Sequence, residues 1–127
     1  MLTLYSDQSS SNCYKVRLLA AHLGTAFRLV DVDILRGETR TPDFLRLNPS
    51  GEVPVLELPD GRLLAESNAI LLYLAAGTRF LPSDTFDRAR VMQWMFFEQS
   101  AHESTISAAR FWLGSIRGGR ELKRDLI

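Results

Sequence analysis

Three short stretches of this 127-residue sequence carry groups able to hold an anion or share a proton. The first is Ser9-Ser10-Ser11-Asn12-Cys13, where hydroxyl and amide donors stand at the entrance to a helical pattern. Backbone N–H groups at a helix N-terminus lack intrahelical partners and the helix dipole adds positive potential, so an anion is favoured there. One anion of chemical interest is a thiolate. A thiol like that of cysteine has a pKa near about 8.5, which leaves only about 3% ionised at pH 7, and the ionised form is the nucleophile. A hydroxyl or amide that donates to the sulfur and lowers its pKa by about two units raises that fraction to roughly three-quarters. The second stretch, Glu66-Ser67, opens another helical pattern, where a carboxylate docks for the same reason. A capping serine and an anion-binding serine look identical in sequence. The third, Val53-Pro54, precedes a strand-like run, and its proline nitrogen cannot donate to a ladder.

The other candidates fall away. Cys13 is the single cysteine, so no intramolecular disulfide framework exists. Two residues into a helix that faces packed neighbours, it is expected to be an inert small hydrophobe. His102-Glu103 begins a H-E-x-x-H pattern, but position 106 is Ile106 and the zinc reading fails. His102 and Gln99 are expected to meet a cleft between domains or to pack, packing being the stronger expectation. Fifteen basic side chains balance 15 acidic ones, which gives no electrostatic reason to expect nucleic acid or an anionic membrane as partner. The basic stretch at 117–124 reads as a solvated helix start. No apolar run approaches the roughly 20 residues that span a bilayer, and Met1-Leu2-Thr3-Leu4-Tyr5 is not a signal peptide. The expected compartment is the cytoplasm, with no metal required.

These groups must be positioned by a regular scaffold, and the sequence announces one. Leu2 and Leu4 start a short strand that runs into a loop. Val16, Leu19, Ala20 and Leu23 recur at helical spacing and Gly24 stops them, so residues 13–23 are expected to be helical, with Ser10 and Asn12 just before. Residues 27–32 read as a second strand, parallel to the first across that helix. A loop is expected over 35–40, and Thr41-Pro42 then caps and opens a short helix. Residues 53–58 and 63–65 read as an antiparallel pair joined by the turn Pro59-Asp60-Gly61-Arg62. Ser67 is expected to cap a helix with Ile70, Leu71 and Leu74 on its buried face. Residues 79–84 read as a linker. Residues 85–113 read as one long helix with a stripe through Met95, Gln99, His102, Ile106, Ala109 and Leu113, widened by Trp94, Phe96, Phe97, Phe111 and Trp112. After Gly118-Gly119 a further helix starts and is expected to continue to Ile127. Two domains result, 1–78 and 85–127.

A β-α-β unit, a helix, a β-hairpin and a closing helix is the thioredoxin-like layout. Within it, Leu4-Tyr5, Ser10 to Leu18, Asn48 to Leu56 and Leu64 to Leu71 come in the order and at the separations of the N-terminal half of a glutathione transferase. The chain resembles that superfamily over its whole length, and its active-site loop is similar to the Ser-x-Asn type of theta-like and nu-like bacterial members. The expected fold class is α/β: a thioredoxin-like domain with a mixed four-stranded sheet, then a partial all-α domain, C-terminally truncated relative to the family. The resemblance implies glutathione as co-substrate, with Ser10 donating to its sulfur and Asn12 as helper or substitute. Ser9 and Ser11 crowd the same loop. It implies a cis Val53-Pro54 bond, with Val53 offering its backbone N–H and C=O to the cysteinyl part of glutathione. Ser67 and the helix start would hold the γ-glutamyl carboxylate, and Glu66 its ammonium group. Arg36 and Arg40 are the cations for the glycine carboxylate. The family commonly has a basic residue where this chain has Glu52, and often glutamine where it has Thr39.

The activity so implied is attack of the glutathione thiolate on a small hydrophobic electrophile held against the long helix, in a homodimer. Two alternatives accompany it. One is glutathione-dependent reduction of a disulfide or peroxide. The other is a non-catalytic transferase-like binding module whose aromatic long helix marks an interface.

Overall fold

A computed structural model of the chain describes residues 1–124 and forms two compact units, Met1–Leu81 and a second from Pro82 onward. In the first, the elements run β1 (Leu2–Ser6), α1 (Ser11–Leu23), β2 (Phe27–Asp31), a 3₁₀ turn (Glu38–Arg40), α2 (Pro42–Leu47), β3 (Val55–Glu57), β4 (Leu63–Ala65) and α3 (Ser67–Ala75). The strands form one mixed four-stranded sheet in the order β2-β1-β3-β4. β1 is parallel to β2 and antiparallel to β3, and β4 is antiparallel to β3. This is the thioredoxin-like arrangement expected above. Residues 38–40, expected to be loop, wind into one turn closed by the Arg40 N–H on the Gly37 carbonyl at 2.9 Å.

Side chains alternate across a strand, and the core follows that alternation. Leu4 of β1 and Leu56 of β3 face one way and pack with Val16 of α1 and Ile70 of α3. Their neighbours Tyr5 and Val55 face the other way and pack with Phe44 of α2 and Val32. The unit is therefore three layers, α1 and α3 on one face and α2 on the other. Leu4, Val16, Leu56 and Ile70 are at most 1% exposed. Each contributes about 1.5–3 kcal/mol on burial, so truncating Leu56 to alanine is expected to cost about 2–5 kcal/mol.

The second unit contains α4 (Thr85–Phe97), a π-helical segment (Glu98–Ser107), α5 (Ala108–Gly114) and α6 (Gly119–Leu122). Asp84 caps α4, its carboxylate accepting from the N–H groups of Phe86 at 3.1 Å and Asp87 at 3.0 Å. The chain is helical from Thr85 to Gly114, but its middle winds with i→i+5 bonding. There the Ser104 and Thr105 hydroxyls donate back to the carbonyls of Ser100 and Ala101, a pattern that loosens the α-helical ladder. The change of winding breaks the four-and-three stripe. His102 and Ile106 are exposed and His102 does not pack, contrary to the expectation above. α6 meets α5 where a Cβ on Gly119 would lie 1.9 Å from the Trp112 carbonyl oxygen, so only glycine fits there. The last residues of the helix expected to reach Ile127 lie outside the described residues. No helix among the described residues is long and apolar enough to cross a membrane.

Candidate functional site

Sheet register brings the three chemistry-bearing stretches to one end of the first unit. Tyr5 of β1 is opposite Val55 of β3, and Val55 is opposite Ala65 of β4. The loop leaving β1, the Val53-Pro54 pair entering β3 and the Glu66-Ser67 pair leaving β4 thus emerge from the same edge of the pleat. α1 and α3, which begin in two of these stretches, pack against each other, so their N-termini lie side by side.

At the first stretch Ser10 is the N-cap of α1, its hydroxyl oxygen accepting the Cys13 N–H at 3.3 Å. This bond uses an oxygen lone pair and leaves the hydroxyl hydrogen to be donated elsewhere. Ser9 differs, because its hydroxyl donates to Asp7 Oδ1 at 2.6 Å. Asn12, expected just ahead of the helix, is its second residue. Cys13 is fully buried and its Sγ accepts the Asp7 N–H at 3.4 Å, in keeping with a structural thiol.

Two residues that sequence reasoning passed over shape this loop. Asp7 is buried, and besides the Ser9 hydroxyl its carboxylate accepts the N–H groups of Ser9 at 2.7 Å and Ile34 at 3.1 Å. Burial pushes the Asp7 carboxyl up, but the Ser9 hydroxyl and the N–H groups of Ile34, Ser9 and Ser10 outweigh it and hold the pKa below its ordinary value. Arg17 reaches back from α1 and donates to Ser6 Oγ at 2.5 Å and to the carbonyls of Asp7 at 3.1 Å and Gln8 at 3.3 Å. The aspartate two residues before Ser9 was the available signal, since Asx turns of this kind are local. Its bond to Ile34 is not local and was illegible.

The Val53-Pro54 peptide bond is cis. Asn48 shapes its approach, donating from Nδ2 to the Glu52 carbonyl at 2.8 Å and accepting from the Ser50 hydroxyl at 2.9 Å. Arg40 lies over this loop and donates to the Ser50 carbonyl at 3.2 Å. Gly51 makes room for it: at φ +66 it is left-handed, and a Cβ there would come within 2.6 Å of Arg40 Nη1.

At the third stretch the expected cap moves by one residue. Ser67 is the first residue of α3 and Glu66 holds the cap position, without a side-chain cap bond. Glu66 is the one non-glycine residue with positive φ among the described residues, at φ 70 and ψ 113. Such a conformation costs on the order of 1–3 kcal/mol and concentrates at functional sites. Ser67 is buried, and its hydroxyl donates to Oδ1 of Asn12 at 3.2 Å.

Other polar groups nearby are committed. The Tyr5 hydroxyl donates to Glu57 at 2.8 Å, and its pKa is raised by burial and by that carboxylate. An open cavity of about 390 Å³ borders the β1–α1 loop, lined by Asp7, Gln8, Ser9, Asp31, Val32, Asp33 and Leu35. Its three carboxylates give it the wrong sign for an anionic ligand. No group of three His, Cys, Asp or Glu side chains among the described residues is arranged to hold a metal.

What converges at this end of the sheet is two helix starts, a hydroxyl with a hydrogen to give, the cis Val53-Pro54 pair and the acidic Glu66: donors able to hold an anion beside a carboxylate able to hold a cation. Residues 9–76 match the family model for the N-terminal domain of glutathione S-transferase. The chain belongs to the glutathione transferase superfamily. Among solved members of that superfamily, a possible glutathione S-transferase from Rhodopseudomonas palustris is 58% identical, with a TM-score of 0.93 over 98% of this chain and 56% of that one. Ure2p in complex with glutathione is 31% identical, with a TM-score of 0.79 over 91% of this chain and 52% of that one. The curated Protein URE2 of Eremothecium gossypii is 35% identical over 116 residues, 84% of this transferase-like chain and 33% of its own length. The chain thus spans about a third of such curated relatives and a little over half of the solved ones.

Proposed function

We propose that this chain binds glutathione at the edge of its sheet and ionises its thiol for attack on a small hydrophobic electrophile. The carrying observation is the convergence of the α1 and α3 N-termini, joined by the Ser67–Asn12 hydrogen bond, beside the cis Val53-Pro54 pair. The superfamily's solved members with bound glutathione support the choice of ligand. Ser67 and the N–H groups of α3 receive the γ-glutamyl carboxylate, where the dipole favours it. Glu66 takes the ammonium group, and its left-handed backbone is the price of aiming both at once. Val53 pairs its backbone with the cysteinyl residue. Arg40 is the cation for the glycine carboxylate. Ser10, whose oxygen is held by the Cys13 N–H, donates its hydroxyl hydrogen to the sulfur, and Asn12 assists. A donor in that place lowers the thiol pKa by stabilising the thiolate.

Retention of the chain on immobilised glutathione, with elution by free glutathione, tests the binding; passage without retention would refute it. Turnover of a model aryl halide tests the transferase step, whereas activity only on a small disulfide would assign the reductase chemistry instead.

A homodimer is proposed on a separate observation. On the long helix Phe86, Trp94, Phe96 and Phe97 are 54–69% exposed among the described residues. Aromatic surface of that extent on one helix is the mark of an interface. Light scattering over a range of concentrations should show a mass of two chains, and a monomer at all concentrations would remove the idea.

A further inference from the structure

We propose that Asp7 is a positioning residue for thiol activation, holding the β1–α1 loop so that the Ser10 hydroxyl faces the sulfur of bound glutathione. The inference rests on the glutathione reading above. Asp7 is 8% exposed, yet it is not paired with a cation as a buried carboxylate ordinarily would be. Instead it spends its oxygens on the loop itself. Oδ1 accepts both the N–H and the hydroxyl of Ser9, at 2.7 and 2.6 Å, and Oδ2 accepts the N–H of Ile34 at 3.1 Å, on the segment that follows β2. The backbone is bound as fully: its N–H donates to Cys13 Sγ and its carbonyl accepts from Arg17. One side chain therefore ties the residue before Ser10 to the neighbouring strand's exit, while Cys13, whose N–H holds the Ser10 oxygen, is tied to the same residue. Ser10 is clamped from both sides.

The arrangement also settles which serine is available. A Ser9 hydroxyl committed to Asp7 cannot give the same hydrogen to sulfur, whereas the Ser10 oxygen is an acceptor with its hydrogen left over. The depressed carboxyl pKa agrees with an anion that is fully solvated by the loop. A donor misplaced by about 1 Å costs on the order of a hundredfold in rate, so a clamp of this kind matters to the chemistry while lying away from the ligand's carboxylates.

The effect of geometry and the effect of charge have opposite signs, which makes the proposal testable. Neutralising a carboxylate near a thiolate, by charge alone, lowers the thiol pKa. Loss of a clamp that aims the Ser10 donor raises it. The measurement is the pKa of glutathione bound to the full chain, read from thiolate ultraviolet absorbance against pH, with affinity followed separately by calorimetry. For Asp7→Asn the carboxamide nitrogen confronts the Ile34 N–H or the Ser9 donors. The expected result is a thiol pKa raised by about one unit, a tenfold smaller thiolate-to-thiol ratio, with glutathione affinity changed less than about threefold. Ser9→Ala, at an exposed position, removes one clamp bond without touching the core. It is expected to shift the pKa in the same direction by a smaller amount, and decides the matter if Asp7→Asn does not fold. An unchanged or lowered thiol pKa in the folded variants overturns the positioning role, as does loss of affinity in step with the pKa. If the unaltered chain binds no glutathione, the functional reading itself fails and takes this proposal with it.

Discussion

The Ser67 hydroxyl donates to Asn12 Oδ1 across 3.2 Å, joining the N-termini of α3 and α1 from positions 55 residues apart. The bond fixes the side of the Asn12 amide that faces α3 as its oxygen, which puts its two hydrogens on the opposite side. It also sets two claims on one proton. In the proposed binding mode a ligand carboxylate at the start of α3 would compete with Asn12 for the Ser67 hydrogen, which would couple glutamyl binding to the state of Asn12.

Ser67→Ala should weaken glutathione binding by about tenfold, the equivalent of a charge-assisted hydrogen bond worth about 1.5 kcal/mol. Calorimetric titration measures it. Because the bond from the buried Ser67 to the half-buried Asn12 is also lost, the variant should unfold at a slightly lower temperature. An affinity equal to that of the unaltered chain would move the carboxylate site elsewhere.

The structure gives Ser10 the task of N-cap and the proposed function gives it a second, as donor to the sulfur; substitutions can separate the two. Ser10→Ala removes the N-cap acceptor as well as the donor, and should lower stability by about 1 kcal/mol while cutting aryl-halide conjugation sharply. Ser10→Asp keeps a good cap, yet an ionised carboxylate has no hydrogen to give. It should restore the unfolding temperature without restoring conjugation. Recovery of both in Ser10→Asp would show that the hydroxyl is no more than a cap.

Glu66 is strained at φ 70, and glycine has no such penalty. Glu66→Gly should therefore leave stability unchanged or raise it, the relief of backbone strain offsetting the added flexibility of the unfolded chain. On the proposed binding mode glutathione affinity should fall, because Glu66 is the proposed partner of the ammonium group. Denaturant unfolding and titration together decide this. A drop in stability of more than about 1 kcal/mol would mean the backbone there is not strained.

Acid should loosen the β1–α1 loop. The Asp7 pKa in the folded chain lies below its ordinary value, so the folded state binds its proton later than the unfolded state. Its contribution to stability is present above the unfolded value of about 3.9 and disappears as pH falls through the folded pKa. Thermal unfolding followed from pH 6 to pH 2.5 should show a stability advantage over Asp7→Asn that shrinks below about pH 4. A gap that stays constant across that range would contradict the shift.

Much of this protein was legible in order. The strand and helix periods of the first unit, the Gly24 stop and the Thr41-Pro42 helix start depend on neighbours within a few residues, and local chemistry is written in sequence. So is the string of motifs that marks the superfamily. The long helix was legible as a helix, but its π-helical middle was not: the i→i+5 winding comes with serine and threonine back-bonding that a hydrophobic stripe does not register. His102 is exposed where packing was expected, as are Phe86, Trp94 and Phe96 on the regular α-helical part of the same helix: a stripe shows which side chains could pack, not what packs on them.

At the site the division is sharper. Sequence alone determined which groups were present, namely a serine loop, a Val-Pro pair and a Glu-Ser helix start. Only the tertiary structure decided which of them meet. Tyr5, Val55 and Ala65 share one register line, and that register carries three distant stretches to one edge. The bonds that matter most there, Ser67 to Asn12 and Asp7 to Ile34, span 55 and 27 residues. Each donor and acceptor has an ordinary local use as cap or turn residue, so nothing in their types or spacing reveals the pairing. The sheet and the packing of α1 on α3 create it.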